Sequence, residues 1–147
     1  MRLLVLALAL SAVTAAQAAP APLTPADKAA AFKAAGFKAK GREWVRCDDT
    51  QTSSHQNGSI EVADLNGDGA PEAWVRESSV FCYGATAEAF VLVTKRPTGW
   101  TILLDEVGVA SPLATKHNGW PDIEVGGPGF GPSPKYRYNG VKYLAGR

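Results

Sequence analysis

The stretch Ser59-Ile60-Glu61-Val62-Ala63-Asp64-Leu65-Asn66-Gly67-Asp68-Gly69-Ala70-Pro71-Glu72-Ala73-Trp74-Val75-Arg76 decides the fold of this chain. Its first end, Ser59–Val62, alternates polar and apolar residues, its second, Ala73-Trp74-Val75, is a short run of strand formers, and its centre is a run of turn formers. The flanks therefore read as two strands and the centre as the loop joining them. Within that loop oxygen-bearing side chains recur at every second position, as Asp64, Asn66 and Asp68. Gly69 follows at the sixth position, where a cation-binding loop turns sharply, and Glu72 closes the series at the ninth. The backbone carbonyl of Ala70 supplies a further oxygen. A hard cation takes about six to eight oxygens at about 2.3–2.6 Å, and the spacing gathers such donors around one point. Carboxylates this close repel one another, and a divalent ion removes the repulsion. The expected cofactor is Ca²⁺, held by Asp64, Asn66, Asp68, Ala70 and Glu72. The same residue types also favour turns that hold no metal.

The loop departs from the EF-hand, which needs a bidentate Glu at position twelve, where this chain has Val75. Asp64-Leu65-Asn66-Gly67-Asp68-Gly69 between two strands, with its last carboxylate at position nine, instead resembles the calcium loop of FG-GAP (VCBS-like) repeats. A degenerate second block supports that resemblance. Gly69-Ala70-Pro71-Glu72-Ala73-Trp74-Val75 returns as Gly119-Trp120-Pro121-Asp122-Ile123-Glu124-Val125, both Gly-x-Pro-acid-x-x-Val. The places of Asp64, Asn66 and Asp68 are taken in the second block by Ala114, Lys116 and Asn118, so only the first block is expected to hold Ca²⁺. Lys116 is expected near Asp122, standing where the first block has its ion. The resemblance implies a propeller, but a propeller needs several four-stranded blades and this chain is too short for them. The expectation is a mainly β (α+β) domain, a small open antiparallel sheet built from FG-GAP-like hairpins, with one N-terminal helix.

Working outward, residues 1–18 read as a leader peptide. Arg2 precedes the apolar run Leu3–Leu10, and Ala16-Gln17-Ala18 fits an A-x-A cleavage site. A membrane-spanning helix needs about 20 apolar residues, more than this run provides. The expected location is secreted or periplasmic, with residues 19–147 forming one domain. The chain holds 15 basic and 14 acidic residues, and loss of Arg2 leaves 14 of each. That balance gives no electrostatic case for nucleic acid or an anionic membrane. Cys47 and Cys82 fit an oxidising compartment and are expected to pair around the 64–72 loop. Such a bridge contributes about 4 kcal/mol as an upper figure.

Thr24-Pro25-Ala26-Asp27 reads as a helix start, with Thr24 as N-cap and Pro25 at the first position, and Gly36 ends a helix over about 25–35. Phe32 and Phe37 are expected to dock it on the sheet. Ala89-Phe90-Val91-Leu92-Val93 reads as a central strand, pairing across Arg96–Gly99 with Trp100–Leu104. Asn139-Gly140 predicts a two-residue type I′ turn.

The search for chemistry yields less. His55 and His117 sit in polar turns and read as solvated loop histidines; Asp105 and Glu106 are adjacent on a strand and so point to opposite faces. Glu61, Glu77, Glu88 and Glu124 read as charges on the solvent face. The four tryptophans, Trp44, Trp74, Trp100 and Trp120, read chiefly as core. The loop Gly127-Pro128-Gly129-Phe130-Gly131 is a candidate partner-binding element, because loops on a rigid scaffold commonly carry recognition. The function expected is therefore binding of another protein in the cell envelope, as an inhibitor or immunity protein, rather than catalysis. A metal-assisted hydrolase and a carbohydrate-binding module using exposed tryptophans are the alternatives.

Overall fold

Thr24 caps the first helix as its sequence position demands. Its hydroxyl accepts the Asp27 N–H at 3.1 Å, Pro25 occupies the first turn, and Gly36, at φ 84°, lies just past the end. This helix, α1 (Pro25–Ala34), is the first element of a computed structural model that describes residues 20–48, 50, 55–127, 129 and 131–146. The leader expected at 1–18 lies outside the described residues, as do Pro128 and Phe130 of the candidate partner-binding loop.

A small hairpin follows, β1 (Lys38–Lys40) and β2 (Glu43–Val45). Then come β3 (Gln56–Ala63) and β4 (Glu72–Ser78), the two strands expected on either side of the 64–72 loop. A one-turn helix, α2 (Val80–Tyr83), leads through a 3₁₀ turn to β5 (Glu88–Arg96) and β6 (Gly99–Val107). The remainder is β7 (Val109–His117), β8 (Trp120–Gly126), β9 (Lys135–Tyr138) and β10 (Tyr143–Ala145).

The strands form two four-stranded antiparallel meanders besides the small hairpin, in the orders β3-β4-β5-β6 and β10-β9-β8-β7. The domain is mainly β, as expected, but the sheet is not a single open one. The two meanders pack face to face, because each has an apolar face that must be covered. Trp74, Phe90, Leu92 and Leu104 of the first sheet meet Trp120, Ile123, Val125, Tyr138 and Tyr143 of the second. Each large side chain fully buried there is worth about 1.5–3 kcal/mol. The other face of the first sheet is covered by α1, through Ala31, Phe32 and Phe37 against Ala73, Val75, Val91 and Val93. Strands β4 and β5 are thus buried on both faces, which is why Ala89–Val93 is apolar without alternation.

One residue, Gly108, joins the sheets. Strands β6 and β7 are a nearly continuous run bent at this position, with φ 144°. A Cβ there would lie 2.6 Å from both the Gly126 carbonyl oxygen and a Val125 methyl. Only glycine satisfies both the backbone angle and the space.

The turns divide. Arg96 pairs with Gly99 across Pro97-Thr98, as expected. Asn139-Gly140, however, lies in a four-residue loop, since Tyr138 pairs with Tyr143. The Asn139 side chain accepts the N–H groups of Val141 and Lys142, both at 2.9 Å, and this side-chain turn replaces the expected type I′ geometry.

Candidate functional site

The 64–72 loop is organised by its own acidic side chains. Asp64 accepts three backbone N–H groups, from Gly67 at 2.8 Å, Asp68 at 3.2 Å and Gly69 at 3.1 Å. Asp68 accepts the Ala70 N–H and the Asn66 amide, both at 2.8 Å, while Asn66 accepts the Asp68 N–H at 3.0 Å. Gly69 takes the turn with φ 81°. Glu72 sits at the start of β4, fully buried between the sheets, and accepts the Leu65 N–H and the Thr94 hydroxyl, each at 2.8 Å. Burial pushes the Glu72 carboxyl up; the Leu65 and Thr94 hydrogen bonds pull it back, and the charges of Asp68 and Asp64 add to the rise.

As the side chains stand, no three acidic, histidine or cysteine groups among the described residues converge closely enough to hold a metal ion. The donor chemistry nonetheless fits one. An ionised carboxylate has about four lone-pair sites. Both Asp68 oxygens, Asp64 Oδ2 and both Glu72 oxygens each take a single hydrogen bond.

In the second block Asp122 occupies the place of Glu72, and it too is buried. Its carboxylate accepts the Thr115 hydroxyl at 2.8 Å and His117 Nδ1–H at 2.6 Å, with Arg137 Nε at 3.9 Å. His117, at the end of β7, keeps a side chain 42% exposed but has a fixed partner, and Asp122 is met by His117, Arg137 and Thr115 rather than by Lys116. Lys116 precedes His117 on β7, so the two side chains leave the strand on opposite faces. The first loop's carboxylates lean on backbone N–H groups, whereas the second block answers its acid with basic side chains. Burial alone would raise the Asp122 carboxyl; the Thr115 and His117 hydrogen bonds and the His117 and Arg137 charges outweigh it and hold it below its ordinary 3.8. A depressed carboxyl stabilises the fold fully above its unfolded value, and the contribution is lost as pH falls through the folded one. Asp122→Asn is accordingly expected to cost stability at neutral pH and to flatten the acid limb of a stability-against-pH curve below about pH 4, measured by urea unfolding. A limb as steep as that of the parent would refute this assignment.

A third carboxylate was misplaced by sequence reasoning. Glu77 is 2% exposed, not a solvent-face charge. It accepts the backbone N–H groups of Arg46 at 2.9 Å and Cys47 at 2.8 Å, the Tyr83 hydroxyl at 2.7 Å, and lies 3.3 Å from His55 Nε2. His55 is thereby taken out of solvent as well. The signal was present: Ala73, Val75 and Glu77 share one face of β4 by period two, and that face lies under the Cys47 segment and α1. Burial, and then the adjoining Glu77 carboxylate, push the Tyr83 hydroxyl well above its ordinary value. The Cys47–Cys82 disulfide closes over this carboxylate, and Arg46 binds Asp105 through two hydrogen bonds of 2.8 and 2.7 Å.

The described glycines of the candidate partner-binding loop border an open trough. A cavity of about 350 Å³ is lined by Gly127, Gly129 and Gly131 together with Val107, Glu106 and Tyr136. A second, of about 430 Å³, shares Glu106 and Tyr136 and continues between the edge strands β6 and β10 past Ile102 and Leu144. Ile102, Val107, Val109 and Leu144 are exposed. Burial, with a hydrogen bond to Glu106, pushes the Tyr136 hydroxyl up to about 12. Asp105 and Glu106 serve separate partners, Arg46 and Tyr136. Of the tryptophans, Trp74 and Trp120 are core, whereas Trp44 and Trp100 are half-buried.

Comparison of the chain with protein-family models, with curated proteins and with solved structures finds no match.

Proposed function

We propose that this is an exported, calcium-stabilised β domain that acts by binding another protein in the cell envelope, in the manner of an inhibitor or immunity protein. The observation that carries the reading is the trough beside β6. Among the described residues β6 pairs only with β5, so its other edge has no strand partner and offers a place for an added strand. The exposed Ile102 and Val107 flank that edge, and Gly127, Gly129 and Gly131 line one end. An apolar rim around an open strand edge is the form that captures an extended segment of another protein.

The ion belongs to the same reading. Asp64, Asn66, Asp68, the Ala70 carbonyl and Glu72 would hold Ca²⁺, in keeping with the FG-GAP-like spacing. The metal would cancel the mutual repulsion of the carboxylates and fix the β3–β4 connection. Export is supported by the leader pattern of residues 1–18 and by the disulfide.

The test is capture from an envelope extract by the immobilised protein and by a Val107→Lys variant. A protein retained by the parent and reduced about tenfold in the variant, a loss of about 1.4 kcal/mol of binding free energy, is the expected result. No retained protein, or equal retention by both, would sink the proposal.

A further inference from the structure

The N-terminal part of the domain carries a charge that the neutral total conceals. Between Lys28 and Arg46 there are six basic residues and one acid, Glu43. The rest of residues 19–147 holds eight basic and thirteen acidic residues. The fold gathers this basic segment on one side, as α1 and the β1–β2 hairpin over the first sheet. Arg46 is committed to Asp105, and Lys40 lies 3.9 Å from Asp48. Lys28 and Arg42 are exposed and form no ion pair among the described residues.

Those two cations stand at the rim of a cleft of about 390 Å³ between the first turns of α1, the β1–β2 hairpin and the start of β3. Trp44, half-buried, forms part of its wall, and Phe32 stacks parallel to the indole at 5.0 Å and fixes its orientation. Asn57 contributes an amide; at Gly58 a Cβ would fall 2.8 Å from the Phe37 ring and 2.9 Å from the Trp44 carbonyl oxygen, so glycine lets β3 pack closely against Phe37 and β2 there. Strand β3 carries a register irregularity between Gln56 and Ser59, the kind of bulge that re-aims side chains beside a site.

An aromatic wall, one amide, the two cations and the single carboxylate Glu43 line a concave site of net positive charge, which selects a ligand with a flat apolar face, hydroxyl groups and a negative charge. The geometry points to an acidic glycan, a chain of sugar rings bearing carboxylates, as the ligand of this cleft. The ring's C–H face lies against Trp44, its hydroxyls meet Asn57, and its carboxylate meets Arg42 and Lys28. An anionic membrane would ask for exposed apolar side chains to insert, and among the described residues no exposed large apolar side chain lines this cleft. The site is independent of the trough along β6.

The test is calorimetric titration of the purified, disulfide-intact protein with an α-1,4-linked galacturonate trimer, with the neutral galactose trimer and with phosphatidylglycerol vesicles, while the Trp44 indole N–H signal is followed by NMR. Binding of the acidic trimer should shift the Trp44 signal, weaken with salt, and exceed binding of the neutral trimer at least tenfold. The double variant Lys28→Glu, Arg42→Glu should lose at least tenfold in affinity with an unchanged melting temperature. Should it melt lower, Arg42→Gln alone should still weaken binding several-fold. No binding, equal binding of the neutral trimer, undiminished binding by the variants, or binding to vesicles without binding to the trimer would each overturn the inference.

Discussion

Replacing Glu77 with alanine should lower the unfolding free energy by about 3–5 kcal/mol. The carboxylate accepts two backbone N–H groups and the Tyr83 hydroxyl in a site closed to solvent. Removing it orphans three donors, and each buried group left unpaired costs about 1–3 kcal/mol, with partial relief if water enters. Glu77→Gln keeps one acceptor oxygen and should cost clearly less. The Arg46–Cys47 segment is also held by the disulfide, so the two restraints should not act independently. Removing both cysteines as serines should cost up to about 4 kcal/mol alone. Combined with Glu77→Ala, the losses should depart from additivity by about 0.5–3 kcal/mol, as for other contacting groups. Urea unfolding of the four proteins measures all of this. A cost below about 1 kcal/mol for Glu77→Ala would mean that the carboxylate does not hold the segment together.

The second large effect is expected from calcium. An ion that binds only the folded chain contributes about 2.7 kcal/mol at a hundredfold excess over its dissociation constant. For a domain of this size that corresponds to a rise in melting temperature of about 8–14 °C. The rise should vanish on addition of chelator and in Asp68→Ala, whose carboxylate already accepts the Ala70 N–H and the Asn66 amide. It should survive in Asp122→Asn, because the second block meets its buried acid with His117 and Arg137 instead of an ion. Coincident melting curves in calcium and in chelator would leave the 64–72 stretch as a turn held only by its own side-chain hydrogen bonds.

Much of the local architecture was legible because its causes lie within a few residues. Thr24 caps α1 through the N–H of Asp27, three positions on, and Gly69 turns where its missing Cβ permits. The unbroken apolar run Ala89–Val93 announced a strand covered on both sides. The Asn139-Gly140 turn misled because the Asn139 side chain competed with the backbone for the loop's N–H groups. The buried acids misled for another reason. A carboxylate is ordinarily placed in water because burial is costly, and Glu77 is buried only because donors arrive from Arg46, Cys47 and Tyr83. Period two put Glu77 on the face of Ala73 and Val75, but two of its donors are about thirty positions away and nothing local names them.

By itself, the amino-acid order determined the helix, the strand on each side of the 64–72 loop, the β5–β6 hairpin and the pairing partners of a lone cysteine pair. Propensity, capping and period-two burial are properties of short segments, and they survive whatever the rest of the chain does. Tertiary structure alone decided that two meanders close on each other across Gly108, that Glu72, Glu77 and Asp122 leave solvent, and that Lys28, Arg42 and Trp44 border one cleft. Those outcomes depend on which distant faces meet, and burial, with the hydrogen bonds that make it tolerable, is a property of the assembled layers.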